Sequence, residues 1–221
     1  MIPRGALLLW DSREDPSAPS AILRVGLSLY YMARDNSTRS FRVHDEESLV
    51  RRAQARDPEA FDQLYEAHFE KVYRYVAMRL GNKMEAEDVT QEVFLKVLGS
   101  ISSFRWKGVP FLAWLYRIAR NQVIDHYRGK PKMPPVSISG LQVPEEGNPV
   151  EIAEQKNEFE RILKAAGKLT DAQREVIALR FVSDLSIAET AQVMGRSEGA
   201  VKALQHSALI ALRKIMAAGG T

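Results

Sequence analysis

The sequence predicts an all-α protein made of two helical domains joined by a flexible linker, the C-terminal one containing a helix-turn-helix. Three observations predict it. Apolar residues recur at three- and four-residue steps over several segments, no two segments alternate with the period of two that a strand pair needs, and a proline-rich stretch without periodicity divides the chain. The 221 residues suffice for two small domains, and 45% hydrophobic against 27% charged residues allows a packed core rather than a disordered polymer.

Residues 1–44 carry no sustained pattern and are expected to form an N-terminal extension. Their most apolar part, Ser20 to Met32, is interrupted by Arg24, lacks a small-residue cleavage pattern and is too short to span a bilayer, so membrane insertion is not expected and a cytoplasmic location is. The first domain is expected over 45–128. Asp45 to Arg56 opens the helical series, and Asp57-Pro58 then signals a second start: an acceptor at the cap, followed by a residue whose missing N–H is harmless in the first turn. Phe61, Leu64, Tyr65, Phe69, Val72, Tyr73, Val76 and Leu80 give that long helix a broad apolar face, closed by Gly81. A third helix turns Ala86, Val89, Val93, Phe94 and Val97 inward and stops near Gly99. A fourth, Phe111 to Arg128, buries Phe111, Leu112, Leu115, Ile118, Ala119 and Val123.

Gly129 to Pro149 holds five prolines and reads as the linker. The second domain, 150–221, contains four helical segments: Val150 to Ala166, Asp171 to Val182, Ile187 to Met194 and Glu198 to Met216. Thr170 with Gln173, and Ser186 with Glu189, match the reciprocal capping box, and Ser197 marks a further start. Ala191, Gly195, Val201 and Leu204 have helix-turn-helix spacing. A small Ala lets two helices cross closely, Gly takes the left-handed turn, and two aliphatics pin the second helix on the first. On that second helix Val201, Leu204, Ala208 and Leu212 look inward, while Glu198, Lys202, Gln205 and His206 can point away. Lys202 and Gln205 suit base edges in a major groove; Arg196, Ser197 and His206 suit phosphates. The plainer reading is a helical hairpin with a solvated polar face, but the caps, the Gly turn and the apolar register agree on the sharper one.

The net charge of +3 decides little, but its distribution is uneven. Ile101 to Lys132 carries seven basic residues against Asp125 alone, whereas Met84 to Leu98 carries Glu85, Glu87, Asp88 and Glu92 against Lys96. This suits a polyanion on one surface and a basic partner on another, or two solvated faces. Within the basic stretch Phe104, Arg105, Trp106, Lys107, Phe111, Trp114, Tyr116, Arg117, Arg120, Tyr127 and Arg128 interleave aromatic and cationic side chains, as a single-stranded nucleic-acid site requires. Phe111 is expected in the core, Trp114 could serve either end, and Trp106, beside Lys107 and Gly108, is harder to bury.

In this order, AEDVTQEVFLKVL, FRWKGVPFLAWLYRIARNQVIDHYR, a linker and LTDAQREVIALRFVSDLSIAETAQVMGRSEGAVKALQHSALIALRK, the chain resembles the extracytoplasmic-function sigma factors of the sigma-70 family, which keep only regions 2 and 4. The resemblance covers about residues 47 to 128 and 150 to 216. It implies binding of core RNA polymerase through Asp88, Gln91, Glu92, Val93 and Phe94. It implies that the loop from Phe104 to Pro110, with Arg105, Trp106 and Lys107, and the helix side chains Arg117, Arg120, Asn121, Asp125 and Arg128 capture the melted non-template strand of the −10 element of promoter DNA. The helix-turn-helix would read the −35 element as duplex, and an anti-sigma factor is a further partner of many members. One departure stands out: the family's Gly-Thr-Val-Lys-Ser-Arg on the recognition helix is here Gly199-Ala200-Val201-Lys202-Ala203-Leu204, so the contacts of its Ser and Arg do not carry over.

No enzyme is expected, and no cofactor, catalytic residue or metal. There is no cysteine, and His44, His68, His126 and His206 are scattered without ligand spacing. A DNA-processing enzyme would need a nucleophile or converging carboxylates, and the acids around Asp88 lie together on one helix as a solvated or partner face does. A ligand-sensing helix-turn-helix regulator would share the C-terminal domain and leave the aromatic-basic segment unexplained.

Overall fold

The computed structural model describes residues 43–106, 109–128 and 164–218, and among them every ordered element is helical. The expected linker and all but the last two residues of the expected N-terminal extension lie outside the described residues, as do Lys107 and most of the segment from Val150 to Ala166; Val43 and His44 already belong to the first helix.

Helix α1 spans Val43–Gln54 and α2 Pro58–Leu80. The Asp57 carboxylate caps α2 by accepting from the backbone N–H of Glu59 at 3.1 Å and Ala60 at 3.4 Å, and Arg52, donating to it at 2.7 Å, holds that carboxyl below its ordinary pKa. Gly81 ends α2 at φ 70°, where its N–H reaches the Ala77 carbonyl at 2.8 Å. Helix α3, Lys83–Ser100, starts on the Asn82 side chain and runs into a 3₁₀ turn, Ile101–Ser103. Helix α4 spans Phe111–Tyr127. These four helices close on Val50, Val72, Val76, Val93, Phe111 and Leu115, all sealed from solvent, with Tyr75 set edge-on to Tyr116 at 5.4 Å.

Helix α5, Asp171–Ile177, opens with the Thr170–Gln173 capping box and continues as a π-helical turn, Ala178–Val182. The Ser186–Glu189 box starts α6, Ile187–Met194; Gly195 at φ 65° makes the turn; α7 is Glu198–Ala218. Ala191, Val201, Ala208 and Leu212 are buried where α7 crosses α6 and α5, as the spacing requires, while Leu204 is half-buried. Arg174, 3% exposed, donates to the carbonyls of Ala166, Gly167 and Leu169 at 3.0–3.2 Å and so fixes the chain's entry into this group.

The two groups of helices touch. α4 packs on α6 and α2 on the π-helical turn, so the buried apolar residues of both form one connected core. Three arginines of the first group cross the seam: Arg120 pairs with the Glu175 carboxylate, Arg79 Nη1 donates to the Asp171 carbonyl at 2.8 Å, and Arg117 Nη2 donates to the Gln192 carbonyl at 3.1 Å.

Candidate nucleic-acid interface

The loop between the 3₁₀ turn and α4 is built on an aromatic cluster. Phe104 is 4% exposed, with its ring 5.1 Å from both Trp106 and Trp114 and 5.6 Å from Phe111. Its expected place on the DNA surface is therefore corrected: it is the core residue on which the loop rests. The Gln54 side chain, which no motif or periodicity marks out, donates to the carbonyls of Ile101 and Phe104 at 3.0 and 2.9 Å and ties the loop to α1. Trp106 is half-buried and lies against that cluster, with an indole N–H that has no partner. Arg105 is exposed; its guanidinium donates to the carbonyls of Ser102 and Phe104 at 2.7 and 2.9 Å.

Along α4 the side chains at Arg117, Asn121, Asp125 and Arg128 are exposed at four-, four- and three-residue steps, which places them on one face. Arg128 pairs with Asp125 at 2.9 Å. Arg120 lies at the edge of this stripe, half-buried by its pairing with Glu175. Tyr116 leaves the stripe altogether: it is fully buried, and burial holds its phenol and that of Tyr75 well above the ordinary tyrosine pKa. Tyr127 is half-buried, donates to the Arg79 carbonyl at 2.8 Å and is pushed up to about 12, chiefly by burial. The interleaved aromatics of the sequence thus divide into a structural set and, with Trp106, one ring near the loop surface.

On α3, Asp88, Gln91 and Glu92 are exposed. Val93 and Phe94 are not: they are 0% and 5% exposed, and Phe94 sits 4.8 Å from the ring of Tyr65 and 6.0 Å from that of Phe69. Assignment of these two to a partner surface is corrected for that reason. The apolar contribution comes instead from Leu95 and Leu98, 68% and 53% exposed, which fall on or beside the face of Asp88, Gln91 and Glu92. The signal was available. Both leucines break the register that Ala86, Val89, Val93 and Val97 set, and an apolar residue out of register on an amphipathic helix faces outward.

The helix-turn-helix presents Arg196, Ser197, Glu198, Lys202 and His206 to solvent. Ser197 Oγ accepts from the Ala200 N–H at 3.2 Å, so it caps α7. Gln205 is corrected: it is 8% exposed, and its amide oxygen accepts from Arg180 Nε at 3.0 Å, turned away from any groove. Arg180, whose pKa burial lowers, also donates to the Leu185 carbonyl. The outward stripe at three- and four-residue steps is Gly199, Lys202, Ala203 and His206. Ala203, not Gln205, stands exposed on this face beside Lys202. No group of His, Cys, Asp and Glu among the described residues could hold a metal.

Fold and surfaces together define a helical protein in which a helix-turn-helix packs beside a helix that carries a basic stripe. Residues 64–132 match the family model for sigma-70 region 2, and residues 165–214 that for sigma-70 region 4. The chain belongs to the sigma-70 family. It is 40% identical over 76% of its length to the ECF RNA polymerase sigma factor BldN of Streptomyces coelicolor, of which the match spans 64%. It is 34% identical over 78% of its length to SigD of Mycobacterium tuberculosis, covering 85% of that protein. Among solved structures it resembles CnrH in complex with the cytosolic domain of CnrY, with a TM-score of 0.62 and 25% identity over 78% of this chain and 97% of that one.

Proposed function

We propose that the chain is an extracytoplasmic-function sigma factor, a non-enzymatic transcription initiation factor that binds core RNA polymerase and directs it to promoters. The observation that carries this is the order of its two matched regions, each presenting its own exposed polar side chains: Arg117, Asn121, Asp125 and Arg128 on α4, and Lys202 and His206 on α7. The α4 stripe, with Arg105, Trp106 and Lys107 of the loop before it, captures the melted non-template strand of the −10 element. Stacking and charge-assisted hydrogen bonds there offset the few kcal/mol (about that much per step) needed to extrude a base. The amino end of α7 reads the −35 duplex, with Arg196 and His206 on phosphates and Lys202 within reach of base edges. The acidic and apolar face of α3, Asp88, Gln91, Glu92, Leu95 and Leu98, docks on a basic partner helix of the polymerase, where carboxylates steer and leucines anchor.

The functional domains are 45–128 and 150–221, tethered so that two weak sites act together through effective concentration. A polymerase partner places the protein in the cytoplasm, and no helix among the described residues is long and apolar enough to cross a membrane. A protein partner of the anti-sigma kind is supported by the likeness to CnrH, solved with a piece of CnrY. A ligand-sensing regulator is not favoured, because the helices that would form its sensor match sigma-70 region 2. Run-off transcription with purified core polymerase on a promoter library tests the proposal. New start sites are expected, and their absence would overturn it.

A further inference from the structure

We propose that Gln54, the last residue of α1, is a positioning residue for strand capture: its side-chain amide sets the backbone from which Arg105 and Trp106 project. This rests on the function proposed above and gives a part in it to a helix that lies outside both DNA-facing stripes.

Two observations carry the inference. The chain leaves the 3₁₀ turn at Phe104 with extended backbone, and Arg105 and Trp106 belong to no helix. Gln54 Nε2 holds the bend, donating to the Ile101 carbonyl at 3.0 Å and to the Phe104 carbonyl at 2.9 Å, one hydrogen of the amide to each. The Phe104 carbonyl shares a rigid peptide plane with the Arg105 nitrogen, so fixing that oxygen fixes the direction in which the chain continues. The Arg105 guanidinium folds back onto the same carbonyl at 2.9 Å and onto that of Ser102 at 2.7 Å. The Trp106 ring stands edge-on to Phe104 at 5.1 Å, and its indole N–H has no partner. Backbone and ring packing therefore place Trp106, with no hydrogen bond of its own to help.

The second observation is that the donor comes from a fixed point. Helix α1 is closed by the Arg56 N–H on the Ala53 carbonyl at 3.0 Å and the Asp57 N–H on the Arg52 carbonyl at 3.1 Å, with Arg56 in the left-handed region at φ 64°. Glycine makes this closure at least cost. An arginine held there is strained, and such strain persists where the surroundings over-determine the backbone. Leu49, Val50 and Ala53 seat the same end of α1 in the core. Half-buried Gln54 thus reaches the loop from a helix end that is closed and anchored.

The test compares Gln54→Met, which keeps the reach of the side chain and removes both donors, with Gln54→Lys, which restores donors on a longer stem. Holoenzyme assembled from each full-length variant and core polymerase is titrated, below every melting temperature, with a single-stranded −10 oligonucleotide and with a −35 duplex. Gln54→Met should weaken oligonucleotide binding by about 10-fold, on the scale of two neutral hydrogen bonds lost from a preorganised site, and leave duplex and polymerase binding unchanged. Gln54→Lys should recover most of that loss, and the recovery should persist as salt is raised, since the benefit of an added surface charge alone would be screened. Unchanged oligonucleotide binding in a folded Gln54→Met protein overturns the proposal. So does a parallel fall in oligonucleotide, duplex and polymerase binding, because a merely structural glutamine would lower all three together. Absence of recovery in Gln54→Lys has the same force. Should Gln54→Met lose its cooperative melt, Gln54→Asn, whose amide is a methylene short of the carbonyls, takes its place under the same readings. If neither folds, Gln54 is a structural residue and the proposal falls. A native holoenzyme that initiates while Gln54→Met behaves like it sinks only the positioning role; one that starts no transcription sinks the proposed function, and this role with it.

Discussion

Helices α4 and α7 carry the two polar faces proposed to meet DNA, and the structure treats them differently. Each carries a basic stripe at helical spacing over a buried apolar side. On α7 the stripe is free: Lys202, Ala203 and His206 face solvent, and the one long polar side chain that does not, Gln205, is held by Arg180. On α4 two of the arginines are already engaged, Arg120 by Glu175 and Arg117 by Gln192. A ligand of α7 would meet side chains that are free, whereas one of α4 would compete with contacts inside the molecule. The lesson is that exposure alone does not make a site available; the charge state of what lies opposite also counts.

The largest test of this contrast is Arg117→Ala combined with Asn121→Ala. Run-off initiation should fall by at least about 100-fold, since two lost charge-assisted or base-edge contacts of roughly 1.5–3 kcal/mol each amount to about 3–6 kcal/mol, with −35 duplex binding unchanged. A parallel loss of duplex binding would erase the distinction between the faces. A control outside both helices is Leu95→Ala. It should weaken binding to core polymerase by about 10-fold, as an anchor truncation of ~1–2 kcal/mol does, and leave the melting temperature and both DNA contacts intact. Lys202→Ala should weaken −35 duplex binding by about 5-fold and lower the slope of log affinity against log salt by about 1, as removal of a phosphate or base-edge cation does, measured by anisotropy titrations. The smallest effect on DNA is expected of Gln205→Ala: no change in −35 preference, but a stability loss of about 1 kcal/mol in thermal melts from the unmet Arg180 donor. A change of base preference in that variant would return Gln205 to the groove.

Much of this was legible from local pattern. The α2 start at Asp57-Pro58, its stop at Gly81, both capping boxes and the bounds of α6 from Ile187 to Met194 follow from hydrogen bonds made within a few residues of where they are written. The set Arg117, Arg120, Asn121, Asp125 and Arg128 came from the family resemblance, and the helix puts four of them on one exposed face with Arg120 half-buried at its edge. The burial of Phe94 was legible too, since the register of its helix turns it inward and only the family resemblance set it on a partner surface. Phe104 and Gln205 did not follow, because each is claimed by side chains of another element: Phe104 by Phe111 and Trp114 across the loop, Gln205 by Arg180 in the π-helical turn.

The amino-acid sequence by itself determined the helices, their caps, the helix-turn-helix and the family, since these depend on spacings along one strand of chain. Only the tertiary structure decided which polar side chains are spoken for. Arg120 meets Glu175 across 55 residues and Arg117 meets Gln192 across 75, and such pairings arise from how two folded surfaces seat on one another, where burial makes a charge demand a partner.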